Sequence, residues 1–399
     1  MQSNKKISNE ILNSDLKSFI DEFLEKDFLK VTLHLSKKYP QNFNLLAEQL
    51  KLYKKARVKL PTFANSYCFF TTKSFEQASS EKLAKYKSTL FKGTNLLDLS
   101  GGLGVDDWAF SFSFSKIISL DIDEELNQIV RKNYEKLQLT TIERIDADAS
   151  EFIKSAGYYD LIYLDADRRP DFKNKRVAGL SDSDPNILQL QKRLFELTDT
   201  ILLKLSPMLD ISALIDQLKN VSAIYVVSLD NEVKELLAVL SKTIQKPQIH
   251  AVNITAENTQ TFSATYEQLV EMNYSDEGNF FYEPSLSLIK SGISKNYATA
   301  NQLKILAPNS YFFLSDNLVE DFFGRSFKVI AKIEFGKVLV KKYLTEKGIQ
   351  KANISKRNFP MEVDELKKLF LIKDGGEDYL FFTQNNENKK LIFHCRKIN

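Results

Sequence analysis

The sequence predicts an α/β fold: a doubly wound, mostly parallel sheet with helices on both faces, preceded by an all-α segment and followed by small α+β units. Three observations carry this. Short apolar runs at 95–99 (NLLDL), 117–121 (IISLD), 160–165 (DLIYLD) and 223–228 (AIYVVS) alternate with helical stretches such as EELNQIVRKNYEKL. Strands separated by helices of that length pair in parallel through crossovers that cover both sheet faces. Four of the 13 glycines, at 93, 101, 102 and 104, cluster around the end of the first run, where a strand must turn into a helix. At 399 residues the chain also exceeds one ordinary core, so two or three domains are expected.

The elements follow in order. From about 7 to 57 apolar residues recur three or four apart in ILNSDLKSFIDEFLEK and NFNLLAEQLKLYKKA, with no glycine between them, so residues 1–88 read as an N-terminal helical segment. Pro61 stops that pattern, and EKLAKYKSTLF supplies one more helix leading to Gly93. The α/β domain spans 89–280, with IHAVNIT (249–255) and TFSATY (261–266) as closing strands. FYEPSLSLIKSG, YFFLSD and FKVIAKIEF form a small α+β unit over 281–335. VLVKKY, a helix at VDELKKLF, and the runs DYLFFT and KLIFHCRK form another over 336–399, with NNENKK as an exposed hairpin tip.

Composition excludes several classes. Hydrophobic residues at 43% and charged residues at 27% fit a globular protein. No run of about eighteen uncharged apolar residues occurs, and the polar start MQSNKKISNE lacks a signal-peptide core, so no membrane partner and a cytoplasmic location are expected. Cys68 and Cys395 are too far apart in sequence, and His34, His250 and His394 too scattered, to suggest a disulfide framework or a metal site. A net charge of +3 leaves any polyanion contact to local patches.

A glycine turn after the first strand of an open parallel sheet lets backbone N–H groups approach a ligand at the carboxyl edge, where such sheets bind nucleotides. LDLSGGLG at 97–104 stands there, with Ser100, Gly101, Gly102 and Gly104 as candidate contacts. A dinucleotide fingerprint needs G-x-G-x-x-G, but Gly102-Leu103-Gly104 is followed three positions on by Asp107. Asp98, Asp106 and Asp107 would repel a pyrophosphate, and no Gly-Lys-Ser/Thr follows to make a Walker loop. Acidic surroundings suit instead a ligand with an ammonium, a sulfonium and a ribose, which describes S-adenosylmethionine. Asp121 ends the second strand, where a carboxylate accepts both ribose hydroxyls. Asp148, in IDADASEF, falls at the end of the third, within reach of the adenine amine, and Asp165 ends the fourth beside the transferred methyl group. Each carboxylate alone reads equally as a helix cap or a solvated loop residue. Four acidic strand ends in order, with a glycine turn on the first, read as a cofactor site.

The stretch from DLSGGLGVD through LDIDEEL, DADASEF and DLIYLDADRR resembles the class I S-adenosylmethionine-dependent methyltransferases, whose sheet is Rossmann-like. EQASSEKLAKYKS (76–88), DADRRPDFKNKRVAGLSDSDP (165–185), YEPSLSLIKSG (282–292) and KRNFPMEVDELKKLFLIKDGGEDYLFF (356–382) narrow the resemblance to the bacterial members with a C-terminal THUMP-like domain. It implies a methyltransferase domain, a ferredoxin-like segment over 281–335 and a THUMP-like, RNA-binding domain over 336–399. Where that family reads Asp-Pro-Ala-Arg-Arg, this chain has Asp165-Ala166-Asp167-Arg168-Arg169, without the proline that would stiffen the loop.

Methyl transfer is an in-line displacement at a sulfonium carbon, so the protein mainly aligns the acceptor, and no metal is needed. Carbon-5 methylation of pyrimidines uses a cysteine nucleophile, and neither Cys68 nor Cys395 lies by the fourth-strand loop, which favours a nitrogen or oxygen acceptor. Asp165 is placed to orient that acceptor or take its proton. Arg168 and Arg169 either fork onto a substrate phosphate or carboxylate, or pair with Asp182 or Asp184. Gln77 either folds over the cofactor or acceptor, or belongs to a capping turn built from Ser79 and Ser80. Trp108 and Phe110, Phe112 and Phe114 read as core aromatics. Lys351, Lys356, Arg357 and Asn358 precede Phe359-Pro360, a basic patch beside an exposed aromatic that could contact RNA phosphates and a base. The leading expectation is methylation of a base in structured ribosomal or transfer RNA. The alternatives are a small-molecule or protein acceptor, or a non-catalytic RNA-binding protein that retains the cofactor fold. Oligomeric state stays open.

Overall fold

The computed structural model describes residues 16–28, 31–32, 36–37, 43–165, 167–168, 180, 183–184 and 186–398. They form two compact units, Met1–Val221 with Ala238–Gln245, and Ser222–Leu237 with Lys246–Asn399.

In the first unit, helices α1 (Leu16–Phe23), α2 (Phe43–Lys59), α3 (Pro61–Asn65), α4 (Thr72–Gln77) and α5 (Glu81–Leu90) precede the sheet. Pro61 ends α2 and also starts α3, because a residue without an N–H fits a first helical turn. These helices share one apolar core with the start of the α/β part: Phe63 meets Trp108 edge-on with ring centroids 5.7 Å apart, within a cluster that includes Leu103, Ala109 and Ile129. Trp108, Phe110 and Phe114 are buried as expected. Phe112 is not; it sits just past a short helix, leans on Trp108 from outside and stays 66% exposed.

The sheet strands and helices then alternate: β1 (Gly93–Asp98), α6 (Val105–Phe110), β2 (Phe114–Asp121), α7 (Glu124–Lys136), β3 (Ile142–Asp146), α8 (Ala149–Phe152), β4 (Leu161–Asp165), α9 (Ile187–Leu197), β5 (Thr200–Leu205), α10 (Ile211–Gln217), β6 (Val221–Leu229) and β7 (Glu232–Ser241). In the first unit the order is β3-β2-β1-β4-β5-β7. The pairs β2–β3, β1–β2, β1–β4 and β4–β5 are all parallel. Strand order reverses between β1 and β4, and at such a switch point the carboxyl ends of the strands open a crevice. Neither β5 nor β7 is among the strands expected from sequence. Lys204 interrupts the apolar run of β5, and KELLAVL in β7 is built from strong helix formers.

In the second unit, β8 (Gln248–Ile254) and β9 (Thr259–Thr265) extend β6 and the start of β7 in the order β9-β8-β6-β7. A seven-stranded sheet follows, ordered β11-β12-β10-β13-β16-β15-β14, from β10 (Phe280–Pro284), β11 (Lys304–Ile305), β12 (Phe313–Ser315), β13 (Gly324–Glu334), β14 (Asn353–Lys356), β15 (Asp378–Gln384) and β16 (Lys390–Lys397). Its helices are α11 (Leu286–Lys290), α12 (Ser294–Ala300), α13 (Lys337–Glu346) and α14 (Val363–Phe370). Phe281, Phe312, Phe327, Phe381 and Phe393 form one aromatic core, so a single sheet serves both C-terminal stretches. VLVKKY lies in α13: Val340 and Leu344 face the core four residues apart while Lys337, Lys341 and Lys342 are exposed.

Candidate functional site

Three acidic strand ends meet at the carboxyl edge around the switch point. The buried Asp98 carboxylate accepts through Oδ1 from the Ser100 amide (2.7 Å) and from the Ser100 hydroxyl (3.1 Å). The same hydroxyl oxygen accepts from the Asp165 amide at 2.6 Å, so one serine joins the end of β1 to the end of β4.

The glycines do less for a ligand than the sequence suggests. A Cβ on Gly101 would collide with the Arg144 guanidinium and the Ser119 hydroxyl, and one on Gly104 with the Tyr134 ring. Their missing side chains make room for protein atoms. Gly102 differs: its φ of +49° is in the left-handed region, and a Cβ there would meet only the Ser100 carbonyl oxygen, at 3.7 Å. Its amide donates to Asp121 Oδ2 at 3.0 Å.

Beneath this turn lies a buried charge cluster. Asp107 Oδ2 accepts from Ser119 Oγ (2.5 Å) and Tyr134 Oη (2.6 Å), with Arg144 Nη1 at 3.5 Å. Among the described residues no N–H or hydroxyl serves Asp107 Oδ1. Burial first, then the Asp107 charge and a hydrogen bond shared with it, hold the Asp98 carboxyl well above its usual range. Two carboxyl groups share a hydrogen bond only if one of them keeps a proton. Arg144, on β3, also donates to Asn127 Oδ1 (2.6 Å), Ser119 Oγ (2.8 Å) and the Gly102 carbonyl (2.8 Å), and lies 3.5 Å from Asp121 Oδ2.

A second network is built on Asp106. The fully buried Lys87 on α5 pairs with its Oδ1 at 3.1 Å, while Ser79 and Tyr163 donate to its Oδ2 at 3.1 and 2.8 Å. Burial works to raise this carboxyl, but the ammoniums of Lys87 and Lys204 and the Tyr163 hydroxyl hold it below its usual range. Lys204, at the end of β5, makes an ion pair with Asp165.

The remaining sequence candidates fall as follows. Asp121 also accepts from the Asp123 amide, and its neighbour Ile122 exposes 71% of its surface to solvent. Asp148 is exposed and caps α8, accepting from the Glu151 amide at 3.0 Å. Gln77 is exposed at the end of α4, two residues before Ser79; Ser80 caps α5. Asp167–Arg168 pairs as a two-residue ribbon with Ser183–Asp184 beyond β4. Arg169 and Asp182 lie outside the described residues.

In the second unit, Lys356 pairs with Glu362. Arg357 is mostly buried: it donates to the Tyr311 carbonyl (2.8 Å), lies 3.4 Å from Glu283 Oε1 and sits over the Phe312 ring. Burial lowers its pKa from the usual arginine value. Asn358 is exposed with a φ of +51°, and Phe359 is buried against Phe335 and Phe382 rather than exposed as expected. A proline after Phe359 and the apolar face of α14 draw that ring inward.

Sequence reasoning missed Arg144, Lys204, Lys87 and Ile122. The available signal was a lysine inside the otherwise apolar strand ILLKL and an arginine flanked by isoleucines and carboxylates in IERID: with so many carboxylates nearby, a compensating cation is required. Among the described residues no cluster of histidine, cysteine or carboxylate side chains could hold a metal, and no helix is long and apolar enough to cross a membrane.

A ferredoxin-like domain model matches residues 280–322, and a THUMP domain-like model matches 324–397. A crystal structure from Porphyromonas gingivalis W83, assigned as a methyltransferase, is similar at 30% identity and a TM-score of 0.86, over 96% of this chain and 98% of that one. TrmK of M. capricolum, solved with S-adenosyl-homocysteine, shares 15% identity at a TM-score of 0.32, over 40% of this chain and 68% of that one. A Streptococcus mutans protein assigned as a methyltransferase, also solved with S-adenosyl-homocysteine, shares 13% at 0.30, over 41% and 97%. These last two overlaps are too slight to carry an argument. No curated protein matches the chain.

Proposed function

The chain belongs to the class I S-adenosylmethionine-dependent methyltransferases that carry a THUMP-like domain, and from this premise we propose that it methylates a base of structured RNA at a nitrogen or oxygen acceptor. S-adenosylmethionine supplies the methyl group as an electrophilic sulfonium carbon. The observation that carries the reading is the pairing of Gly102 with Asp121 at the switch point: an open left-handed glycine and a carboxylate held 3.0 Å from its amide form a cradle for a ribose. Asp121 would accept the ribose hydroxyls, Ile122 would offer an apolar face to the adenine, and Asp148, at the cap of α8, would hold its amine.

Asp98 works from beneath, fixing Ser100 rather than touching the ligand. Asp165, kept in place by the Ser100 hydroxyl and paired with Lys204, orients the acceptor and accepts its proton. Arg168 and Arg169, which follow Asp165 in sequence, and Gln77 before Ser79 hold the substrate. RNA phosphates meet the lysines of α13 and its C-cap: Lys337, Lys341 and Lys347 are exposed and make no ion pair among the described residues. Lys356 and Asn358 add to this surface, whereas Arg357, engaged with Glu283 and the Tyr311 carbonyl, supports it from within.

The test is transfer of tritiated methyl from S-adenosylmethionine to total RNA from a strain lacking the protein, with Asp165→Ala as control. Label entering RNA with the wild type alone is the expected result. No label in RNA, with cofactor binding intact by calorimetry, would reject RNA as the acceptor.

A further inference from the structure

We propose that Arg144 is a positioning residue for cofactor capture, holding the Gly102 peptide and the Asp121 carboxylate at the spacing a nucleoside requires. The inference rests on the cofactor reading above and adds a residue that the glycine turn alone does not reveal.

The geometry is a closed ring. The Gly102 amide donates to Asp121 Oδ2 at 3.0 Å, the Gly102 carbonyl accepts from Arg144 Nη2 at 2.8 Å, and that same Nη2 lies 3.5 Å from Asp121 Oδ2. Both backbone polar groups of one residue, in the two peptide units that flank its Cα, are therefore fixed, one by a carboxylate and the other by the cation that balances it. Arg144 is in turn held rigid from behind by Asn127, Ser119 and Asp107. A planar fork with five N–H donors can serve all these acceptors at once, which an ammonium on a flexible stem cannot.

A purely structural arginine would need only Asp107 and the core hydroxyl. Here Nη2 is turned toward the Gly102 carbonyl and the Asp121 carboxylate, the two groups joined by the Gly102 amide. Gly101 is glycine because its Cβ would occupy the place of this guanidinium, so the sequence gives up a side chain in the turn to admit Arg144. A left-handed glycine with open space on one side has no other restraint on its carbonyl among the described hydrogen bonds.

The test compares wild type, Arg144→Met and Arg144→Lys. Binding of S-adenosylmethionine and of S-adenosyl-homocysteine is measured by calorimetry, and KM and kcat by methyl transfer, with circular dichroism to confirm folding. A positioning role predicts that Arg144→Met weakens both ligands in parallel by about tenfold while kcat at saturating cofactor changes little. Arg144→Lys should recover part of the affinity, since it restores the charge but not the fork. It also keeps the test decisive if Arg144→Met fails to fold. A fall in kcat with no change in either affinity, or wild-type affinity in both variants, would overturn the inference. Absence of cofactor binding by the wild type would instead overturn the reading beneath it, and the inference with it.

Discussion

The amide of Asp165 lies 2.6 Å from the hydroxyl oxygen of Ser100, and that hydroxyl donates to the buried carboxyl of Asp98. One small side chain thus connects the two strands that flank the switch point, and it does so through the residue proposed to face the acceptor.

Ser100→Ala removes this link and leaves the Asp165 amide without its partner. The expected cost is about 1–3 kcal/mol of stability. A larger fall is expected in methyl transfer than in cofactor affinity, since the loosened group is on the acceptor side. Denaturant unfolding and steady-state kinetics on the same preparation decide it; an unchanged kcat would remove the link from the mechanism.

Asp98 carries a raised pKa, so the folded protein binds a proton that the unfolded chain gives up at ordinary carboxylate pH. The stabilisation from that proton is complete at low pH and fades as pH rises toward the folded value. Asp98→Asn mimics the protonated form at every pH. Wild type should therefore lose ground to Asp98→Asn as pH increases above the normal carboxylate range, and melting curves across pH would show it. A constant difference between the two would argue against a shared proton.

Two glycine substitutions should fail differently. Gly102→Ala places a Cβ at ordinary contact with the Ser100 carbonyl oxygen and strains only the left-handed backbone, at about 1–2 kcal/mol, while obstructing the ligand. Gly101→Ala forces a methyl group against Arg144 and Ser119 and should cost about 1–3 kcal/mol by overpacking. Cofactor affinity should therefore drop in Gly102→Ala beyond what its stability loss explains. If Gly101→Ala proves as stable as wild type, the packing explanation of that glycine is wrong.

The α13 lysines and Arg357 make contrasting predictions for RNA. Exchanging Lys337 and Lys341 for glutamate should weaken RNA binding and flatten its salt dependence by roughly one unit of slope per lysine removed. Arg357→Ala should lower the melting temperature, because Glu283 loses one of the cations packed against it. Filter binding across a salt series, beside thermal melts, separates the two; equal salt slopes for wild type and the double lysine variant would move the RNA surface elsewhere.

The acidic strand ends were legible because each stands in plain order: NLLDL, IISLD and DLIYLD close with the carboxylates that the switch point gathers. What stayed hidden has a common cause. Arg144, Lys204 and Lys87 are ordinary surface residue types by composition, and only tertiary packing buries Arg144 and Lys87, and partly encloses Lys204, among carboxylates. Phe112 and Phe359 exchanged their expected environments for the converse reason, since burial of a single ring depends on which side of a short helix or loop faces the core. The strand at Glu232–Ser241 was disguised by residues whose local preference is helical, overridden by its place between neighbours in a sheet.

Strand β13 has a further consequence for how the chain is made. Its register partner is β16, with Val329 opposite Cys395, so β13 emerges from the ribosome well before the strand that will cover its free side. In that interval an eleven-residue edge is open to pairing with another nascent chain. Arg325, Lys328 and Lys332 lie along it and place positive charges where a second copy would have to dock. Replacing Lys328 with a β-branched neutral residue leaves the ion pairs of Arg325 with Glu283 and of Lys332 with Asp276 and Glu277 in place, yet should shift newly made protein toward insoluble aggregate.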